Sequence, residues 1–231
     1  MSTTDAALFP PHSTPNPRHC RIPERPTMDH TTAALQPPTI IGTPFEGGFY
    51  AGLFRVGEQL FALIVAPKAG GEFAEVAWHQ GSAVVEGATS CFDGMANTAA
   101  LAEAGSTLAQ RVRALDLNGF TDWYLPSRDE LELLYRHLKP TKHENWASFR
   151  DGDNASSVPA GYPYTKAAPA QTIAEAFREG GPEAFEPAWH WASTQYDAHG
   201  AWYQTFANGC QINDDKAYEG RARAVRRFLI T

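Results

Sequence analysis

Residues 119–131 read Gly119-Phe120-Thr121-Asp122-Trp123-Tyr124-Leu125-Pro126-Ser127-Arg128-Asp129-Glu130-Leu131. Ser127 and Glu130 stand three apart, the spacing of a capping box. The serine oxygen takes the N3 amide and the glutamate reaches back to the amide of the cap. Leu131, Leu134, Tyr135 and Leu138 follow at helical spacing and form one apolar stripe, and Pro140 closes the helix. Trp123 is expected to pack under this helix, while Asp122 satisfies loop amides.

Upstream of this stretch the pattern is β. Phe49–Val56 and Gln59–Ala66 flank Gly57-Glu58 and read as a hairpin, ended by Pro67. Glu72–Trp78 is a third strand candidate. Asn97–Leu115 reads as one helix, capped by Asn97 and weakened by Gly105. Downstream, residues 141–170 are polar and turn-rich and read as a long loop, and Gln171–Glu179 as a short helix stopped by Gly180-Gly181. Trp189–Thr194, Ala201–Phe206, Cys210–Asn213 and Arg221–Ile230 are short strands, with Asn208-Gly209 as a hairpin turn. Strands, helices, a loop region and strands again make an α+β domain over residues 45–231.

Residues 1–44 differ in kind. They hold nine of the 17 prolines, and no glycine precedes Gly42. Proline fixes φ and removes a donor, so helix and central strand are excluded there. The segment is expected to be an extended arm that orders on a neighbour.

The whole chain has 231 residues, 43% hydrophobic and 19% charged, a globular composition. A net charge of −7 provides no phosphate-neutralising excess and argues against nucleic acid as a partner. The basic run Arg221, Arg223, Arg226 and Arg227 alternates with Ala222 and Ala224 in its first half, so part of it is expected to face solvent or pair with the acidic body. Cys20, Cys91 and Cys210 fit no zinc spacing and no disulfide framework. The N-terminus has no signal-peptide pattern, and no stretch approaches the length of a membrane span.

Several motifs occur together in one order. Residues 119–131 resemble the G-x-x-D-W-x-L-P-[ST]-x-x-E-L signature of the Lcl C-terminal domain family. Trp191-Ala192-Ser193-Thr194 resembles its W-[SA]-S-[ST] motif. Ala201-Trp202-Tyr203 with Phe206 and Gly209 resembles A-W-x-x-x-F-x-x-G, and Ala224-Val225-Arg226 the closing [CA]-V-R strand. The resemblance spans about residues 48–231. It implies a C-type-lectin-like fold: two helices around a twisted antiparallel sheet, terminal strands close together, and a long loop region that carries ligand binding. Phe49–Val56 should then share a sheet with Arg221–Ile230. Such folds occur on bacterial surfaces, in phage tips and in formylglycine-generating sulfatase modifiers. Without an export signal, a phage virion protein fits best.

A motif shared across varied ligands encodes fold, so binding residues are expected between the motifs. Gln195, Tyr196, Asp197 and His199 follow one strand, and Asn208, Gln211, Asn213, Asp214, Asp215, Lys216 and Tyr218 the next pair. Amides, carboxylates and phenols on loops hydrogen-bond sugar hydroxyls or line a protein interface. Calcium is not expected, because Asn213-Asp214-Asp215 supplies too few oxygens for its shell. Cys210 with His199 or His190 is the one nucleophile pair worth weighing, and no second cysteine lies near it. No cofactor, metal or catalytic residue is expected. The expected function is a non-enzymatic virion fibre, tip or decoration protein. Its head would recognise a host surface glycan or protein, and residues 1–44 would join other virion proteins in a homo-oligomer, a trimer by guess. The alternatives are a sulfatase-modifier enzyme and a cytoplasmic prophage accessory protein.

Overall fold

The computed structural model describes residues 35–148 and 151–231. Most of the proline-rich arm, residues 1–34, lies outside them. Its last residues belong to the head. Gly42 donates its N–H to Tyr50 O (2.8 Å), Tyr50 donates to Thr43 O (2.9 Å), and Pro44–Phe45 forms a short strand, β1.

The expected hairpin is present as β2, Gly48–Val56, and β3, Gln59–Val65. Gly57 makes the turn at φ +58°, a conformation that a Cβ disfavours. β4 covers Glu72–Ala77. The helix expected over Asn97–Leu115 is two helices, α1 (Gly94–Glu103) and α2 (Thr107–Arg113). Gly105, at φ +94°, ends the first. Ser106 caps the second, and Asp93, not Asn97, caps the first. Asn97 is buried and holds the Ser90 loop instead: its Nδ2 donates to Ser90 O (2.7 Å) and its Oδ1 accepts from Ser90 N–H (3.0 Å).

α3, Arg128–Leu138, is the capped helix. Ser127 Oγ accepts from Glu130 N–H (3.3 Å), and Glu130 Oε2 accepts from Ser127 N–H (2.7 Å). Leu131, Leu134, Tyr135 and Leu138 are buried, as the stripe requires. The long loop after Pro140 contains one short strand, β5 (Ser157–Val158), against β2. The helix expected over Gln171–Glu179 is only a 3₁₀ turn at Glu175–Phe177. β6 (Trp189–Gln195), β7 (Gly200–Thr205) and β8 (Gln211–Asp215) follow as an antiparallel meander.

The final strand expected over Arg221–Ile230 is divided. β9 (Glu219–Arg223) and β10 (Val225–Leu229) meet at Ala224, and each enters a different sheet. The first sheet has the order β1-β2-β3-β10; the second has β4-β9-β6-β7-β8. Thus Phe49–Val56 does share a sheet with the end of the chain, through β10 on β3, while Arg221–Arg223 belongs to the other. The arginines of this crossing pair inward. Arg221 meets Glu72, Arg223 meets Glu183, Arg226 meets Asp122 and Arg227 meets Asp93.

Two apolar layers result. One lies between the second sheet and α1–α2, around Trp78, Trp123 and Trp191. The other lies between the first sheet and α3, around Phe54, Leu134, Tyr135 and Phe206. Trp123 therefore packs away from α3 and donates its indole N–H to Phe120 O (2.8 Å). Asp122 does not satisfy loop amides: its two oxygens accept from Arg226 Nε (2.7 Å) and Nη2 (3.0 Å). The Asp122 departure has a clear cause: the strand crossover brings Arg226 beside Asp122, and a buried guanidinium claims the nearest carboxylate.

Candidate functional site

The W-A-S-T segment lies in the interior. Trp191 donates its indole N–H to Val76 O (3.0 Å), and Ser193 Oγ donates to Pro126 O (3.2 Å). Thr194 Oγ1 donates to Ser90 O (2.8 Å) and accepts from Arg128 N–H (2.9 Å). The three polar side chains hold backbone groups of β4 and of the neighbouring loops, which leaves them no free group for a ligand.

The strands leaving this frame end in two adjacent turns. In the β6–β7 turn Asp197 Oδ1 accepts from His199 N–H (2.8 Å) and Gly200 N–H (2.7 Å), closing a tight loop. Those two amides hold the Asp197 carboxyl below its usual range. In the β8–β9 turn Asp215 Oδ1 accepts from Ala217 N–H (2.8 Å). The turns are joined by Lys216. Its backbone N–H donates to His199 O (2.9 Å). Its Nζ donates to Ala198 O (2.9 Å), Gln195 Oε1 (2.8 Å) and Ala83 O (2.8 Å). Burial lowers the Lys216 pKa, and Asp197 works against that shift.

Around this pin the exposed side chains are Tyr196, Asp197, His199, Asn213, Asp215 and Tyr218, with Asp214 half-buried. Tyr196 sets its ring edge-on to Trp202 at 5.4 Å, and the Arg128 guanidinium lies 4.9 Å from the Trp202 ring. Asp214 Oδ2 accepts from the Tyr203 hydroxyl. The surface combines hydrogen-bond acceptors with two exposed phenols on a rigid support, which suits reversible binding.

The remaining expected residues lie elsewhere. Gln195 and Lys216 are inside, linking the turns. Gln211 is buried at the far end of β8, where its Nε2 donates to Arg128 O (3.2 Å) and Gln204 Oε1 (3.2 Å). Asn208 is also at that end, with its Oδ1 accepting from Cys210 N–H (3.1 Å). The signal that separates them is the local turn. Lys216 directly follows Asp215, whose side chain accepts from Ala217 N–H, and its long stem reaches inward across the neighbouring turn to Ala198 O. Arg128 and Trp202, absent from the expectation, extend the surface next to Tyr196.

No three His, Cys, Asp or Glu side chains among the described residues form a metal-binding group. Asn213, Asp214 and Asp215 are consecutive in β8, so their side chains alternate between the faces of the sheet and do not converge. Burial and Asp151 push the Cys210 thiol up to about 11, so it is protonated at neutral pH. His190 is buried against Phe185 and Phe206, and that burial pushes its pKa down to about 3. No helix among the described residues is long and apolar enough to cross a membrane.

The family model described as the Lcl C-terminal domain matches residues 74–226, from within β4 into β10. No curated protein matches the chain.

Proposed function

We propose that this chain, which belongs to the Lcl C-terminal domain family, is a non-enzymatic binding head of C-type-lectin-like architecture carried on a phage particle. The head recognises a host surface glycan or protein through the joined β6–β7 and β8–β9 turns. Residues 1–44 attach it to other virion proteins in a homo-oligomer.

One observation carries this reading. Six exposed polar or aromatic side chains stand on two turns that Lys216 ties into one unit. Such bracing stabilises the turns and also fixes their geometry before any partner arrives. A recognition surface gains affinity, because less conformational entropy is lost on binding. Function lives in such sites and not in the fold that carries them.

The test has two parts. Mass spectrometry of purified particles should find the protein, and fluorescent protein should bind host cells saturably. Deleting residues 1–40 should abolish incorporation and leave cell binding intact. Absence from particles would sink the virion role. Absence of saturable cell binding would sink the recognition role.

A further inference from the structure

At the end of the second sheet away from the turns, residues 139–147 and 165–171 face each other across a cleft of about 460 Å³. Lys139, Lys142, His143, Glu144, Lys166 and Gln171 line it. Trp146, 53% exposed, stands in an adjoining hollow shared with Lys166 and Glu144.

The walls are braced from below by buried Asn145. Its N–H donates to Lys166 O (2.9 Å), and its Nδ2 donates to Thr165 O (3.0 Å) and Pro169 O (2.9 Å). Its Oδ1 accepts from the Tyr135 hydroxyl (2.6 Å) and from Lys139 Nζ (2.8 Å). Gln171 Nε2 donates to Pro140 O (2.7 Å). The cleft is therefore formed before any ligand arrives.

Its charge is what points to a ligand. Lys139 is 2% exposed, and its Nζ donates to His143 O (2.5 Å), Asn145 Oδ1 (2.8 Å) and Pro169 O (3.3 Å). All three acceptors are uncharged, so this buried ammonium meets no carboxylate there. A buried cation without a counter-charge is costly, and its field reaches into the cleft. Lys142 and Lys166 add exposed ammonium groups, and among the described lining residues Glu144, 3.2 Å from Lys166, is the one carboxylate opposing them. Burial lowers the Lys139 pKa, so the exposed Lys142 and Lys166 carry most of the cleft's positive charge, and with Glu144 opposing them the lining stays net positive in a chain whose net charge is −7. Contrast Arg221, Arg223, Arg226 and Arg227, each of which meets a carboxylate of the protein.

We propose that this cleft binds a phosphorylated sugar. A phosphate monoester carries a charge of about −2 at neutral pH and three acceptor oxygens, which suits a net-positive lining with exposed ammonium donors on Lys142 and Lys166. The exposed Trp146 ring supplies a flat apolar face for the sugar. The site is separate from the β6–β7 and β8–β9 turns and does not depend on their function.

The test is calorimetric titration of the full chain at low salt with glucose 6-phosphate, glucose, inorganic phosphate and glucuronate. Glucose 6-phosphate should bind saturably, about ten-fold tighter than inorganic phosphate, and glucose should not bind. Lys142→Glu with Lys166→Glu should abolish the binding while the melting temperature stays unchanged. Trp146→Ala should remove the advantage over inorganic phosphate. Absence of saturable glucose 6-phosphate binding would overturn the proposal, as would binding that survives the double reversal. Glucuronate binding as tightly would overturn the phosphate assignment.

Discussion

The W-A-S-T strand and the turn that follows it are adjacent in sequence and opposite in use. From Trp191 to Gln195 every side chain is buried, and the polar ones are bonded to neighbouring loops or to Lys216. One residue further on, Tyr196 is 53% exposed, and Asp197 and His199 are also in solvent. The boundary is set by the tight turn that Asp197 closes. The strand holds the fold together, and the turn presents groups on it. Mutations should therefore divide sharply at residue 195, into large effects on stability on one side and small ones on the other.

Trp191→Ala should have the largest effect, about 3–5 kcal/mol, because it empties the middle of the Trp78–Trp123–Trp191 layer and orphans Val76 O. Leu134→Ala should cost about 2–5 kcal/mol in the other layer. Denaturant titration measures both, and a loss well under 1 kcal/mol for either would remove that residue from the core.

The strand also sets a pH dependence. His190 has a folded pKa of about 3, below its ordinary 6.5. A depressed pKa means that its stabilising contribution is complete above pH 6.5. It is lost as pH falls toward 3, by ~1.4 kcal/mol per unit. His190→Phe, placed among Phe185 and Phe206, should flatten this acid limb. Glu130 acts the other way. Burial pushes its pKa up to about 7 from 4.5, so its contribution is complete below 4.5 and lost as pH rises toward 7. Stability measured from pH 3 to 8 in wild type and His190→Phe checks the sign. Identical acid limbs would contradict it.

Ser127→Ala should cost only about 1 kcal/mol, one cap bond. A shift in melting temperature equal to that of Leu134→Ala would mean that the two residues do not differ as packing and capping do.

How much of this is legible in the sequence depends on the range of the interactions involved. The capped helix, the first hairpin and the β7–β8 turn are local, and their residues announce them. Gly209 even has two reasons to be glycine, since φ is +81° and a Cβ there would strike the Tyr135 ring. What is not legible depends on distant partners. The alternation of Arg221–Ala224 changes phase at Ala224-Val225, but a phase change does not name the partners, and the crossing at Ala224 is made by Ala66 N–H reaching Ala224 O and Ala224 N–H reaching Gly71 O (both 2.9 Å). Asp122 looks like a loop carboxylate until Arg226, 104 positions away, arrives beside it. The candidate site divides in the same manner. Tyr196, Asp197 and His199 can be read as a turn, whereas the inward course of Lys216 depends on Ala83, 133 positions away. The cationic cleft lies in a stretch that reads only as polar loop, because its walls meet through Asn145.

The most direct measurement uses a triple variant, Tyr196→Ala, His199→Ala and Tyr218→Ala, three exposed side chains on the joined turns. Its melting temperature and its binding to host cells are compared with wild type. The change in stability should be the smallest of all, within about 0.5 kcal/mol, as for exposed positions generally. Saturable cell binding should be lost. A variant that binds cells as wild type does, at unchanged stability, would contradict the assignment of recognition to these turns.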